Sequence, residues 1–163
     1  MEFIEGPRQE GCFLCQAAQA DPSRDAEHYV VARGPQSFAM MNRYPYNSGH
    51  LMVVPYSHIA GLDELTPEVA NDLMALTQRA LRALRVAFSP DGFNVGINLG
   101  RVAGAGAADH VHQHVVPRWA GDTNFMPVLA DVKVLPEHMK RSYEKIRAAF
   151  DQSASGKATA SGP

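Results

Sequence analysis

Three histidines alternate with other residues in His110-Val111-His112-Gln113-His114, and Val115-Val116-Pro117 follow directly. In an extended strand successive side chains point to opposite faces, so this spacing puts the three imidazoles in one row on one surface. Imidazole titrates near neutrality and can serve as nucleophile, acid, base or metal ligand. Each ring, if buried, needs partners for two nitrogens, a demand that three neighbouring rings rarely meet by packing alone. The row therefore points to a reaction centre. A second pattern is Cys12-Phe13-Leu14-Cys15, which holds both cysteines of the chain. Alone, a C-x-x-C is compatible with a redox pair, half of a metal site or two inert thiols.

Several elements must carry these residues. Tyr29-Val30-Val31 and Ser37 to Asn42 read as strands separated by Gly34-Pro35. Asn42 to Gly49 clusters turn formers and reads as a loop, followed by a buried strand from His50 to Pro55. Thr66-Pro67 suits an N-cap and first helical position. Val69, Leu73, Leu76, Ala80 and Leu84 then form one apolar helical stripe, which Ser89-Pro90-Asp91-Gly92 ends. From Phe93 to Leu99 the alternation of a strand puts Phe93, Val95, Ile97 and Leu99 on one face, and Asn94, Gly96 and Asn98 on the other. The histidine strand is expected to run from His110 to Pro117, and a last helix from Pro136 through Met139, Tyr143, Ile146 and Phe150. Short links between strands favour antiparallel pairing, which makes the fold α+β. Residues 1–151 are expected to form one domain, and residues 152–163, rich in Ser, Ala, Gly and Thr, a disordered tail.

Composition narrows the function. A chain of 163 residues can bury a real core, and no apolar run approaches the ~20 residues of a membrane helix. The N-terminus, Met1-Glu2-Phe3-Ile4-Glu5, has no basic or apolar leader pattern, so the expected location is the cytoplasm, where structural disulfides are disfavoured. A net charge of −2 argues against a nucleic-acid binder but leaves small phosphorylated ligands open. Gly104-Ala105-Gly106 is not followed by Gly-Lys-Ser/Thr, so P-loop kinase or ATPase chemistry is unsupported.

His110-Val111-His112-Gln113-His114-Val115-Val116 resembles the His-x-His-x-His-x-x signature of the histidine-triad superfamily of nucleotide hydrolases and transferases. Asn42 ahead of Gly49-His50, and Asn98-Leu99-Gly100 ahead of the glycine loop, are similar to that family's nucleotide-binding segments. The run from His114 through Pro117-Arg118-Trp119-Ala120-Gly121-Asp122 is similar to the fragile-histidine-triad branch and to bacterial diadenosine tetraphosphate phosphorylases. The likeness covers about residues 12 to 128. Two departures stand out: Gln113 replaces an apolar residue, and the loop Gly104 to Ala108 lacks the Gly-Gln or Gly-Ser pair often found before the triad.

The resemblance implies a five-stranded antiparallel sheet with flanking helices, paired as a homodimer. It further implies that His112 attacks an α-phosphorus to form a nucleotidyl-histidine, with His114 and His50 donating to non-bridging phosphate oxygens. His110 would complete the catalytic row. Asn42 would contact ribose, Asn98 the phosphates, and backbone N–H groups around Gly104 and Gly106 the leaving group. Arg118 would suit a β- or γ-phosphate, and Trp119 would line the nucleotide path or simply fill core. Asn42 and Asn47 also suit plain turn roles. Relatives that hold zinc at matching positions imply a structural zinc on Cys12, Cys15, His58 and His110, a ligand set suited to a closed tetrahedral site. Mg²⁺ could accompany the polyphosphate. The favoured activity is cleavage of a dinucleoside polyphosphate by phosphorolysis or hydrolysis. Its rivals are phosphoramidate hydrolysis and a nucleotide-binding module without turnover, while a redox protein built on the two cysteines is improbable.

Overall fold

Short segments rich in apolar and β-branched residues pair as strands in the computed structural model, which describes residues 11–122 and 139–154. Strands β1 (Val30–Arg33), β2 (Ser37–Met41), β3 (Leu51–Pro55), β4 (Gly92–Ile97) and β5 (Gln113–Arg118) form one sheet in the order β1-β2-β3-β5-β4. Every neighbouring pair is antiparallel. Helices α1 (Phe13–Gln19), α2 (Asp25–His28), α3 (Pro67–Phe88) and α4 (Met139–Ala154) flank it, so the α+β expectation holds.

The two faces of the sheet are covered unequally. Helices α3 and α4 lie on one face, where Leu73, Leu76, Ala80, Leu84, Ile146 and Phe150 pack against Val31, Ala39, Leu51, Val53 and Val115. Thr66 caps α3 by accepting from the Val69 N–H at 3.4 Å, and Pro67 follows it as expected. The opposite face carries a smaller cluster of Leu14, Ala17, Val30, Phe38, Met40, Met52 and Val54, covered by α1. With seven residues, α1 is only about 10 Å long. It covers the strands β1 to β3 and leaves the β5–β4 part of this face open.

Cross-strand partners share a face, and His114 pairs with Met52 on one side and Gly96 on the other. His114 therefore stands on the open face. Gln113 pairs with Val53 and is buried on the helix face, the side opposite the histidines that the alternation predicts.

Several boundaries differ from the sequence reading. The histidine strand begins at Gln113, not His110. Pro55 ends β3, and the Val111 N–H instead donates to the Ile59 carbonyl at 2.7 Å, which draws residues 110–112 out of the ladder. Strand β4 stops at Ile97, so Asn98 and Leu99 lie in the loop beyond it. Tyr29 is not a strand residue: it ends α2 in the left-handed region at φ 57°, reversing the chain into β1. Helix α4 runs through Ala154, past the residue 151 expected as its end. The start proposed at Pro136 and the tail from residue 155 lie outside the described residues. Among the described residues no helix is long and apolar enough to cross a membrane.

Candidate active site and Cys2His2 group

The loop before β3 sets the first histidine. Gly49 sits at φ +79°, and a Cβ there would lie 2.9 Å from the Phe88 ring, so only glycine fits both the turn and the packing. His50 follows, fully buried. The Tyr46 N–H donates to His50 Nδ1 at 3.1 Å, so that nitrogen must be the acceptor. The proton then sits on His50 Nε2, which faces His114 Nδ1 at 2.9 Å. His114 in turn keeps its proton on Nε2. One backbone N–H thus sets the tautomers of two rings in series.

His112 is set from its other side. Its Nδ1 lies 2.9 Å from the carbonyl oxygen of His110, which can only accept, so Nδ1 carries the proton and Nε2 bears the lone pair. The His112 and His114 rings meet edge to face with centroids 4.9 Å apart, and His50 and His114 are 5.1 Å apart. Burial, followed by the neighbouring imidazoles His114 and His112, lowers His50 to about 3. Burial and then His112 lower His114 to about 4. Both rings are therefore neutral near pH 7, when His114 can offer an N–H.

A pocket of about 460 Å³ opens beside this row, lined by Tyr46, Asn94, Asn98, His114, Val116 and Arg118 among others. Of the site residues expected from the sequence, Asn98, His114 and Arg118 line this pocket together, and the others do not. Both ring nitrogens of His50 are engaged, one by the Tyr46 N–H and the other by His114 Nδ1, so its ring meets the pocket only through His114. The His110 ring turns toward the cysteines, and only its carbonyl serves His112. Asn42 accepts from the Tyr44 N–H at 2.9 Å, a turn role. Asn47 donates to Pro117 O and Asp122, tying the loop to the end of β5. Gly104 and Gly106 are exposed, and Trp119 is half-buried, its N–H bonded to Asp122.

Asp122, seen in the sequence only as the end of a motif run, has a partner that its spacing from Arg118 could have flagged. It binds Arg118 Nε at 2.7 Å and Nη2 at 2.6 Å. The Arg118 guanidinium, with the Trp119 N–H, holds the Asp122 carboxyl far below the usual carboxylate range. Tyr46 acts through its main chain, a role with no side-chain signal; its exposed ring also covers His50 at 4.8 Å.

The Cys2His2 group forms on the other side of His110. Cys12, Cys15, His58 and His110 bring one ligand atom each to within 4.8 Å of one another. The His110 Nε2 faces the Pro55 carbonyl at 3.0 Å, so it carries the proton and leaves the Nδ1 lone pair free. That Nδ1 lies 3.4 Å from Cys12 Sγ and 3.5 Å from Cys15 Sγ, and His58 Nδ1 lies 3.1 Å from Cys15 Sγ. Ordinary Zn–S and Zn–N bonds in a tetrahedron put sulfur and nitrogen roughly 3.5 Å apart, so the donors fit zinc in type and spacing.

The HIT domain model matches residues 23–121, and the chain belongs to that family. It is 50% identical over 116 residues to the AP-4-A phosphorylase of Mycobacterium tuberculosis, covering 71% of this chain and 60% of that one. It therefore spans about three fifths of that relative's length. It is 27% identical over 135 residues to an adenosine 5′-monophosphoramidase of Schizosaccharomyces pombe, covering 83% and 95% of the two chains. Among solved structures, a zinc-bound histidine triad family protein from Mycobacterium smegmatis matches with a TM-score of 0.72 at 28% identity, over 90% of this chain and 98% of that one.

Proposed function

We propose that this chain cleaves dinucleoside polyphosphates of the diadenosine tetraphosphate kind through a covalent nucleotidyl-histidine on His112. The observation that carries the reading is the 2.9 Å bond from His112 Nδ1 to the His110 carbonyl, which leaves the lone pair on Nε2, in a ring packed edge to face against the pocket residue His114. That nitrogen attacks the α-phosphorus, a P–N bond forms, and the P–O bond to the rest of the polyphosphate breaks with its electrons on the departing oxygen. His114 offers its Nε2–H to a non-bridging oxygen, where negative charge must be held. An oxygen of inorganic phosphate or water then displaces His112 and breaks the P–N bond. The 50% identity to a phosphorylase favours phosphate as the acceptor. Asn98 binds phosphate from the β4 end, and Mg²⁺ travels with the substrate.

Cys12, Cys15, His58 and His110 hold zinc in this reading. The ion supplies structure: it ties α1 to the chain that leads into β5, and fixes the residue whose carbonyl orients His112. A ligand set of two thiolates suits the reducing cytoplasm. Strand β4 ends the sheet with its outer edge unpaired among the described residues, which suits pairing with a second copy. Sedimentation should then give a homodimer.

The test is product analysis of diadenosine tetraphosphate with and without inorganic phosphate. ADP plus ATP formed only with phosphate is the expected result. AMP plus ATP without phosphate would make the enzyme a hydrolase. No cleavage beside turnover of adenosine phosphoramidate would overturn the substrate assignment.

A further inference from the structure

We propose that the β4–β5 ribbon beyond His114 is a track for the phosphates that are not transferred, ending in an oxyanion subsite formed by Arg118 and Asn94. The proposal rests on the reading that His112 takes the α-phosphate. His114, Val116 and Arg118 alternate along β5 and share the open face; their partners on β4 are Gly96, Asn94 and Gly92. Four residues of strand place the Arg118 backbone roughly 13 Å beyond that of His114. Val116 and its partner Asn94 lie between them, and at the His114 end stands Gly96, where an added Cβ would meet nothing within 4 Å. An open floor opposite His114 leaves room for a chain to lie along the ribbon.

The far end carries unused donors. Arg118 has five N–H groups; Asp122 takes those of Nε and one of Nη2, and Asn94 Oδ1 takes one of Nη1 at 2.7 Å. Two remain. Because Asn94 turns its oxygen to Arg118, its own NH₂ is left to donate, and it has no acceptor among the described residues. The Asn98 amide likewise has no partner among them. No carboxylate lines the pocket. Asp122 grips the outer edge of the guanidinium, which fixes its direction while offsetting part of its charge. Fixed, planar N–H pairs are what a phosphate oxyanion binds best.

The ligand chemistry is a phosphate group, and it has two sources: the distal phosphates of the substrate or free inorganic phosphate. Distance favours the first. An acceptor must reach the phosphorus on His112, whereas Arg118 stands two side-chain steps past His114. The subsite therefore measures chain length, favouring long polyphosphates over substrates with no distal phosphate.

The experiment compares kcat/KM for diadenosine tetraphosphate and adenosine phosphoramidate in wild type, Arg118→Gln, Asn94→Ala and Gly96→Val, with inhibition by inorganic tripolyphosphate. The tetraphosphate-to-phosphoramidate ratio should fall at least tenfold in Arg118→Gln and Gly96→Val, and tripolyphosphate inhibition should weaken to match. Equal losses on both substrates would overturn the track. A raised KM for phosphate with an unchanged KM for tetraphosphate would also overturn it, by making the anion the acceptor. Gly96→Val faces open space and keeps the test valid if Arg118→Gln fails to fold. If the wild type turns over neither substrate, the failure is of the parent reading. Tripolyphosphate binding by calorimetry then decides the track alone: weaker binding to Gly96→Val supports it, and equal binding overturns it.

Discussion

His112 and His114 differ by two positions in sequence but are held by different means. His112 takes its orientation from the carbonyl of His110, and His114 takes its own from His50 and, behind that, from the Tyr46 N–H. The types and spacing of these side chains were readable in the sequence. Their tautomers were not, because two of the three settings come from main-chain groups that any residue carries. The same arrangement has a consequence for stability. His50 and His114 titrate at about 3 and about 4 in the folded protein. In the unfolded chain both titrate near ~6.5. The unfolded state binds protons first as pH falls, so their contribution is complete above about 6.5 and is lost as pH drops toward 4 and 3. Each proton gives a slope of about 1.4 kcal/mol per pH unit. Urea unfolding across this window should show a shallower slope in His114→Asn than in wild type. Equal slopes would mean that His114 is not held neutral by its surroundings.

At the scale of elements, the strands and α3 were legible because their apolar periodicity is regular, as from Val69 to Leu84. What escaped was whatever depends on a distant partner. Residues 110–112 alternate like a strand, yet the Ile59 carbonyl claims the Val111 N–H and the ladder starts only at Gln113. The region between α1 and β1 is another case. Arg33 donates to the carbonyls of Ala17, Ala18 and Ala20 at the end of α1, and pairs with the buried Asp25 at 2.7 Å. No motif announces it. A positive group at a helix C-terminus is favourable, and the carboxylate beside it compensates the buried charge. Removing one partner leaves the other uncompensated, so Asp25→Ala should cost about 3 kcal/mol in chemical unfolding. A loss below about 0.5 kcal/mol, the size of a surface substitution, would show that the pair does not anchor α1.

Across the whole molecule, the unequal covering of the sheet explains where chemistry is possible. Two long helices bury one face, while short α1 leaves the β5–β4 end of the other face open, and the imidazole row stands there. The Cys2His2 group lies at the margin of α1 and shares His110 with the site. Cys12→Ser should lower zinc content and the thermal midpoint while the folded fraction keeps residual turnover. Equal zinc in mutant and wild type would sink the metal assignment. The proposed chemistry turns on His112 as nucleophile. The most direct measurement is acid-free denaturing quench of the enzyme with radiolabelled diadenosine tetraphosphate, followed by peptide mapping of the label. Label on the peptide containing His112, absent from His112→Ala, is the predicted result; turnover by the mutant, or label on another residue, would contradict it.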